Sequence, residues 1–372
     1  MTCSLFHPGL LLIFSGLLIP FIHGFKRTLF ILIIPCLSLL SLWSMPFGSD
    51  CSIQYLDYEL ILINLDLLSR LFITVFAITV FTVGLFCCKQ ASSTELSAAY
   101  VYAGGAMSVV LAGDLISLFI FWELMALAST LVIWSAQNEK SYKAGMRYIS
   151  IHLLGGVILM CGIASYVYET NSIAFTHMQL NSISTWLILC GFLLNAGAPP
   201  LTAWLADAYP EASYSGMVFL SAFTTKTAVY VLLRGFPGTE LLIYIGLFMI
   251  FYGIIYALLE NDIRRILAYS IINQVGFMVC GIGIGTEMAL NGTAAHAFTH
   301  IIYKALLLMS AGSVLYMTGK RKCTELGGLV QSMPLTAICG IVGALAISSF
   351  PLTSGFISKS MITQASIDEH VL

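Results

Sequence analysis

Residues 114–134 read DLISLFIFWELMALASTLVIW. As a helix at 1.5 Å per residue this stretch is about 30 Å long, the thickness of a bilayer's hydrocarbon core. One charge, Glu123, sits at its centre. A charged side chain at that depth costs about 2.5–3.5 kcal/mol on insertion scales, so it marks a candidate functional position. Similar apolar runs lie on both sides, at about 9–22, 28–47, 69–88, 95–112, 146–167, 184–205, 215–235, 239–259, 266–285, 289–317 and 333–356. Strand-like alternation is absent from these runs, which excludes an outer-membrane barrel. The expected fold is all-α: a polytopic bundle of about twelve transmembrane helices, forming one transmembrane domain over residues 1–372.

Composition agrees. Hydrophobic residues make up 59% of the 372, charged residues 9%, and mean hydropathy is +0.93. A soluble domain carries about 25% charged residues, so a water-soluble enzyme and a disordered chain are both excluded. A net charge of −2 excludes a nucleic-acid binder that relies on bulk basicity. The ten cysteines lie mostly inside apolar runs with no C-x-x-C pair, so they read as small hydrophobes and not as zinc or cluster ligands. The first run lacks a basic leader and an A-x-A site, so no cleaved signal peptide is expected.

Basic residues set an orientation. With the N-terminus outside, the inner connections hold Lys26, Arg27, Lys89, Lys140, Lys143, Arg147, Arg264, Arg265, Lys320, Arg321 and Lys322. The outer side holds Arg70, Arg234 and Lys359. This is a strong positive-inside bias. A bacterial inner membrane is the expected location.

Two further charges fall mid-span: Lys226 in SGMVFLSAFTTKTAVYVLLR and Lys304 in HAFTHIIYKALLLMSAGSV. His296, His300 and Lys304 are spaced i, i+4, i+8, along one helix face. Such a row passes protons when waters bridge it, because histidine titrates near neutral pH. The competing readings are packing histidines and a mutually neutralising ion pair. No carboxylate or cysteine completes a metal set around the two histidines, so no metal is expected. His152, in RYISIHLLGGVILM, is split between packing and the same polar route, with Tyr148, Ser150 and Tyr166 as candidate hydrogen-bonding neighbours.

In LLNAGAPPLTAWLADAYPEA, Pro199 and Pro200 remove amide donors and break the helix. A break at membrane depth is tolerated only where it is buried in protein or lines a wet cavity, and it points to ion sites. FPLTSGF at 350–356 is a weaker interruption at a span end. Arg264 and Arg265, beside Glu260 and Asp262, read as a solvated inner-surface pair; a proton-path mouth at Arg264 is the minority reading. There is no G-x-G-x-x-G fingerprint and no cluster cysteine, so no cofactor and no intrinsic catalytic site are expected.

The ordered set FWELM, APPLTAWLADAYPEA, FTTKTAVYVLLR, ENDIRRILAYSIINQVGFM, HAFTHIIYKALLLMSAGSV and SSFPLTSGFISKSMI, from about residue 60 to 365, resembles the antiporter-like membrane subunits. That family comprises the proton-pumping membrane subunits of respiratory complex I and the large subunits of Mrp-type Na+/H+ antiporters; the D subunits of the latter are the most similar. The resemblance implies about fourteen helices in two inverted repeats, each with a broken helix. It implies a multi-subunit complex that moves protons or monovalent cations. Under it, Glu123 resembles the essential glutamate of the fifth helix, Lys226 a lysine of the central polar axis, and His296, His300 and Lys304 the row leading to the second half-channel. The alternatives are a subunit of an NADH:quinone oxidoreductase and a non-conducting scaffold.

Two departures matter. The family pattern K-x-x-x-x-P-L-x-x-W-L has Asn195 in place of its lysine, so Glu123 needs another partner, with Lys226 the expected one. The sequence also ends at Leu372, where the resemblance leads us to expect that the second broken helix is missing, either in a fragment or in a naturally shortened protein.

Overall fold

Helix starts are set by short polar caps at the ends of apolar runs. Asp66 accepts from the Ser69 amide at 2.7 Å while Ser69 answers the Asp66 amide, and Asn138 and Ser141 repeat this reciprocal box. Ser92, Asp114, Asp262 and Thr286 cap four further helices. Each cap satisfies amides that a helix start leaves open. The structure is a computed structural model and describes residues 7–370. Leu372, the end of the sequence, lies outside the described residues. The chain divides into two compact units after Asn195.

In the first unit, α1 (Pro8–Leu18) and α2 (Gly24–Ser44) precede a hairpin of β1 (Asp50–Tyr55) and β2 (Tyr58–Asn64). Then follow α3 (Leu67–Cys87), α4 (Ser93–Leu111), α5 (Leu115–Trp134), α6 (Glu139–Thr170) and α7 (Ile183–Ala196). α1 crosses α4 so closely that a Cβ on Gly104 would sit 2.5 Å from the Gly9 carbonyl oxygen. α5, the helix of residues 114–134, lies between α4 and α6.

The hairpin fills the connection between the second and third apolar runs. Tyr55 pairs with Tyr58 across the two-residue turn Leu56–Asp57, with Leu56 in the left-handed region (φ 52°). The segment ELILIN is too short to span a membrane and is rich in β-branched and aliphatic residues, so it pairs instead. His7 and Asp114 seat it. The His7 Nδ1 accepts from the amides of Gly9 and Leu10, and its Nε2 faces the Leu62 carbonyl at 3.2 Å. Asp114 accepts from Ile61 N at 2.7 Å and from Ile116 N and Ser117 N. Asp114→Ala strands three amides around a fully buried side chain. We expect a loss of about 2–4 kcal/mol, read as a lower unfolding temperature in detergent and new protease cleavage in 50–64. An unchanged hairpin would contradict this role. Cys51, on β1, is disulfide-bonded, an exception to the reading of cysteines as small hydrophobes.

The second unit opens with α8 (Trp204–Ala208), followed by α9 (Gly216–Ala222), α10 (Thr224–Gly235), α11 (Leu241–Leu259), α12 (Ile263–Ile284) and α13 (Glu287–Thr318). The short α14 (Leu329–Ser332), α15 (Pro334–Ile347) and α16 (Ser354–Asp368) complete it. Every apolar run falls on a helix or an interrupted helix. Among the described residues, eight helical segments are long and apolar enough to cross a membrane, and Pro8–Phe21, Ile183–Ala196 and Pro334–Ile347 are shorter apolar helices.

Three helical runs are interrupted. The run expected over 184–205 stops at Ala196, where Gly197 takes φ 78° and the Pro199–Pro200 bond is cis. The run 215–235 is divided at Phe223, which the sequence did not announce. α15 and α16 are separated by 348–353, with Ser349 and Leu352 at positive φ. A second proline-bearing broken helix is therefore present, contrary to the expectation that it would be missing. FPLTSGF is that break rather than a simple span end.

Candidate functional site

In the first unit, α5 places Glu123 against α6. A Cβ on Gly156 would lie 2.0 Å from Glu123 Oε1, so the missing side chain of Gly156 is the room the carboxyl occupies. Glu123 is half-buried, and its Oε1 is fully buried with no hydrogen-bond partner among the described residues. One turn before Gly156, His152 is buried, with the Tyr148 ring 4.0 Å away and the Asn195 side chain in polar contact. Tyr148 and Ser129 share a hydrogen bond of 2.9 Å. Of the neighbours read from sequence, only Tyr148 meets the ring; Ser150 instead donates to Met146 O on its own helix. Asn195 is 1% exposed. This unit thus assembles a carboxyl, an imidazole, an amide and a phenol across α5, α6 and α7, with no buried lysine or arginine among its described residues.

The second unit has the opposite chemistry. Its fully buried or nearly buried charged groups are Lys226, Arg264, Lys304 and the ring pair His296 and His300, with no buried carboxylate among the described residues. Lys226 begins α10 just after the interruption at Phe223. Its Nζ donates to the Ser221 carbonyl at 2.8 Å and to Thr225 Oγ1 at 3.1 Å. The break makes this possible, because no backbone amide among the described residues takes the Ser221 carbonyl.

α13 carries the row read from the sequence. His296 Nδ1 meets Ser358 Oγ at 2.9 Å, and its Nε2 meets Gln274 Oε1 at 3.1 Å, so α16 and α12 hold the two ring edges. Tyr303 also donates to Gln274 Oε1. The His300 ring lies 6.1 Å from that of His296 and edge-on to Tyr303 at 5.2 Å. Neither of its nitrogens has a hydrogen-bond partner among the described residues. Lys304 donates to Ser270 Oγ. Lys226 is close enough to act electrostatically on His296, His300 and Lys304.

Lys359, read from the sequence as an outer-surface charge, is a member of this cluster. Its Nζ donates to the Ile347 carbonyl at 2.8 Å, across the break between α15 and α16, and it acts electrostatically on both histidines. Sequence reasoning missed Lys359, Gln274, Ser270, Ser358 and Gly156. The one usable signal was the Pro-Gly interruption just before Lys359, the pattern already noted around Pro200.

Arg264 is corrected as well. It is 4% exposed, not solvated, and its guanidinium donates to the carbonyls of Ala212 and Ser213 at 2.9 and 2.8 Å. It ties the segment after α8 to α12. Arg265 behaves as expected, pairing with Glu260 at 2.9 Å. Burial alone would raise the Glu260 carboxyl, but the amides of Asn261 and Asp262 and the Arg265 guanidinium outweigh it and hold the group below its ordinary value. Arg321 bridges Asp262 (2.7 Å) and Glu211 (3.3 Å) beside them. No group of three potential metal ligands occurs among the described residues.

A family model described as "NADH:quinone oxidoreductase/Mrp antiporter, TM" matches residues 112–372. The chain belongs to that family. Among its relatives, it is 30% identical over 364 residues to the D subunit of the Na(+)/H(+) antiporter of Alkalihalophilus pseudofirmus, covering 89% of this chain and 70% of that one. It is 30% identical over 269 residues to hydrogenase-4 component B of Escherichia coli, covering 64% and 40%. The chain spans between 29% and 70% of the length of the first curated relatives it matches. Its fold is also that of a chain in the Mrp complex from Dietzia sp. DQ12-45-1b, with a TM-score of 0.86 over 98% of this chain and 74% of the other, at 23% identity. An all-α polytopic membrane bundle of the antiporter family is thus the architecture.

Proposed function

We propose that this chain is an ion-translocating membrane subunit of a multi-subunit complex, passing protons or a monovalent cation along Glu123, Lys226, His296, His300 and Lys304. The observation that carries this reading is the basic cluster of the second unit: Lys226, Lys304, His296 and His300 are fully buried, half-buried Lys359 lies beside them, and there is no buried carboxylate among the described residues. Like charges held at such depth repel strongly, so a proton on one group disfavours a proton on the next. A set of this kind is poor mortar for helices, because even paired buried charges add little net stability. It suits a relay in which a proton is handed on. At 6.1 Å between rings, His296 and His300 need one bridging water. In the first unit we assign Glu123, His152 and Asn195 to a polar pocket without a lysine of its own. Arg264 holds the segment after α8 in place rather than carrying protons.

An Mrp-type Na+/H+ exchanger is the favoured membership, supported by the relative from Alkalihalophilus pseudofirmus. Moving one charge against 100 mV costs about 2.3 kcal/mol, so a sodium gradient or a redox partner must drive the step. The N-terminus is assigned to the outside of a bacterial inner membrane. The positive-inside bias supports this, as does disulfide-bonded Cys51 on a hairpin placed on that side, since disulfides persist in oxidising compartments.

The test is purification of the tagged protein in mild detergent, mass spectrometry of its companions, and proton flux after reconstitution. We expect small hydrophobic membrane subunits and a flux that follows a sodium gradient. Flavin and iron–sulfur subunits would place it in a redox-driven complex instead, and a reconstituted complex without ion flux would leave a scaffold.

A further inference from the structure

The start of α1 and the hairpin meet at one side chain, His7, just before the first apolar run. Pro8 follows it and has no amide to offer, so the first free donors of the helix are the amides of Gly9 and Leu10. Both point at His7 Nδ1, each at 3.1 Å. Across the ring, Nε2 faces the Leu62 carbonyl at 3.2 Å. A bulge makes that carbonyl available. Cys51 pairs with Ile63 and Ser52 with Ile61, so the register passes over Leu62. A bulge leaves its extra residue out of the ladder and re-aims it. The Phe121 ring stacks on the imidazole at 6.3 Å, and His7 is 5% exposed.

These contacts admit one protonation state. Nδ1 accepts, so it carries no proton; Nε2 donates, so it carries the only one. A second proton would go on Nδ1, and an N–H would then face two N–H groups. The charged ring could keep Leu62 only by giving up the cap of α1.

No charged side chain compensates. On α5, Asp114 is committed to three amides, and Glu123, two residues past Phe121, turns to Gly156 on α6. On the hairpin, Asp50, Asp57 and Glu59 are exposed, and Asp66 caps α3. α4 and α2 bring Ser108 and Ser38 to the start of α1, while their charges, Glu95, Lys26 and Arg27, lie toward the opposite ends. Burial therefore holds the imidazolium well below its ordinary value of 6.5, at about 4, with the Leu62 and His7 carbonyls only partly opposing it.

We propose that His7 is an acid-released latch, which seats the hairpin and the first turn of α1 while neutral and lets go of both when protonated. Its stabilisation is whole above pH 6.5, where the released ring is neutral too, and is lost progressively as pH falls toward 4. The hairpin lies on the side assigned to the outside, so the pH that works the latch is the external one. The latch does not depend on which ion the chain carries.

The experiment is hydrogen–deuterium exchange of the full chain in detergent, read by mass spectrometry and corrected for the intrinsic pH dependence of exchange. From pH 7 to pH 5, protection of peptides covering Gly9–Leu10 and Tyr58–Asn64 should fall together by about twentyfold, the ratio for a group that titrates at 6.5 when released and at about 4 when seated. Peptides of α12 should not change. His7→Asn, whose side-chain oxygen caps the same amides and does not titrate, should give a flat profile, and His7→Ser is a second cap of that kind. Wild-type protection that holds at pH 5 overturns the proposal. So does an equal fall in the wild type and either variant, which would assign the acid response to a carboxylate such as Asp114. Loss confined to one of the two segments overturns it as well, and that readout needs no variant to fold.

Discussion

Lys226→Ala should abolish ion flux in reconstituted membranes, to below about one tenth of wild type, while leaving the amount of assembled complex unchanged. The side chain is fully buried and bound only to the Ser221 carbonyl and the Thr225 hydroxyl among the contacts the structure gives it. Removing it takes away a costly buried charge, so folding should not suffer from electrostatics. Lys226→Met, which fills the space without the ammonium, guards against a cavity effect. Lys226→Arg is the sharper probe, because a guanidinium keeps its charge and cannot release a proton in a protein. We expect it to be inactive as well. Flux is measured by dye quenching in proteoliposomes and assembly by native gel. Full flux in any of the three would remove Lys226 from the path.

The second large effect separates two histidines that look alike in sequence. His300→Phe should lose at least about tenfold in flux with stability unchanged or raised. It keeps a ring beside Tyr303 and removes two buried nitrogens that have no partner among the described residues. His296→Phe should lose flux and stability together, by about 1–3 kcal/mol, because Ser358 and Gln274 are left without the imidazole between them. Thermal unfolding in detergent distinguishes them. Equal destabilisation by both variants would mean that the row is packing rather than a path.

The contrast shows what the sequence makes legible. Twelve apolar runs, the depth of Glu123, Lys226 and Lys304, and the register of the α13 row all follow from local rules, namely the length of a span, the cost of a charge and the 3.6-residue period. Pro199 and Pro200 announce their break because proline acts on its own helix. The rest depends on meetings between distant segments. Gly156 matters only because Glu123 faces it. Ser358 and Gln274 are ordinary polar residues until α16 and α12 bring them to one imidazole. Lys359 was misplaced for the same reason: near the end of an apolar run, a lysine reaching water and one folded back onto a carbonyl have the same local sequence. The break at Phe223 has no proline or glycine at the site, and no sequence signal marks it.

Two lysines, Lys226 and Lys359, share an unusual mode of attachment: each donates to a main-chain carbonyl released by a helix interruption, Ser221 in one case and Ile347 in the other. A carboxylate holds an ammonium by its charge and lets go when the charge leaves. A carbonyl accepts from a neutral amine as well, since the amine still carries N–H donors. Gaining or losing a proton therefore leaves the geometry of these side chains nearly unchanged. If these lysines carry protons as proposed, each would keep its carbonyl partner in both states, and its cycling would not require the helices around it to move.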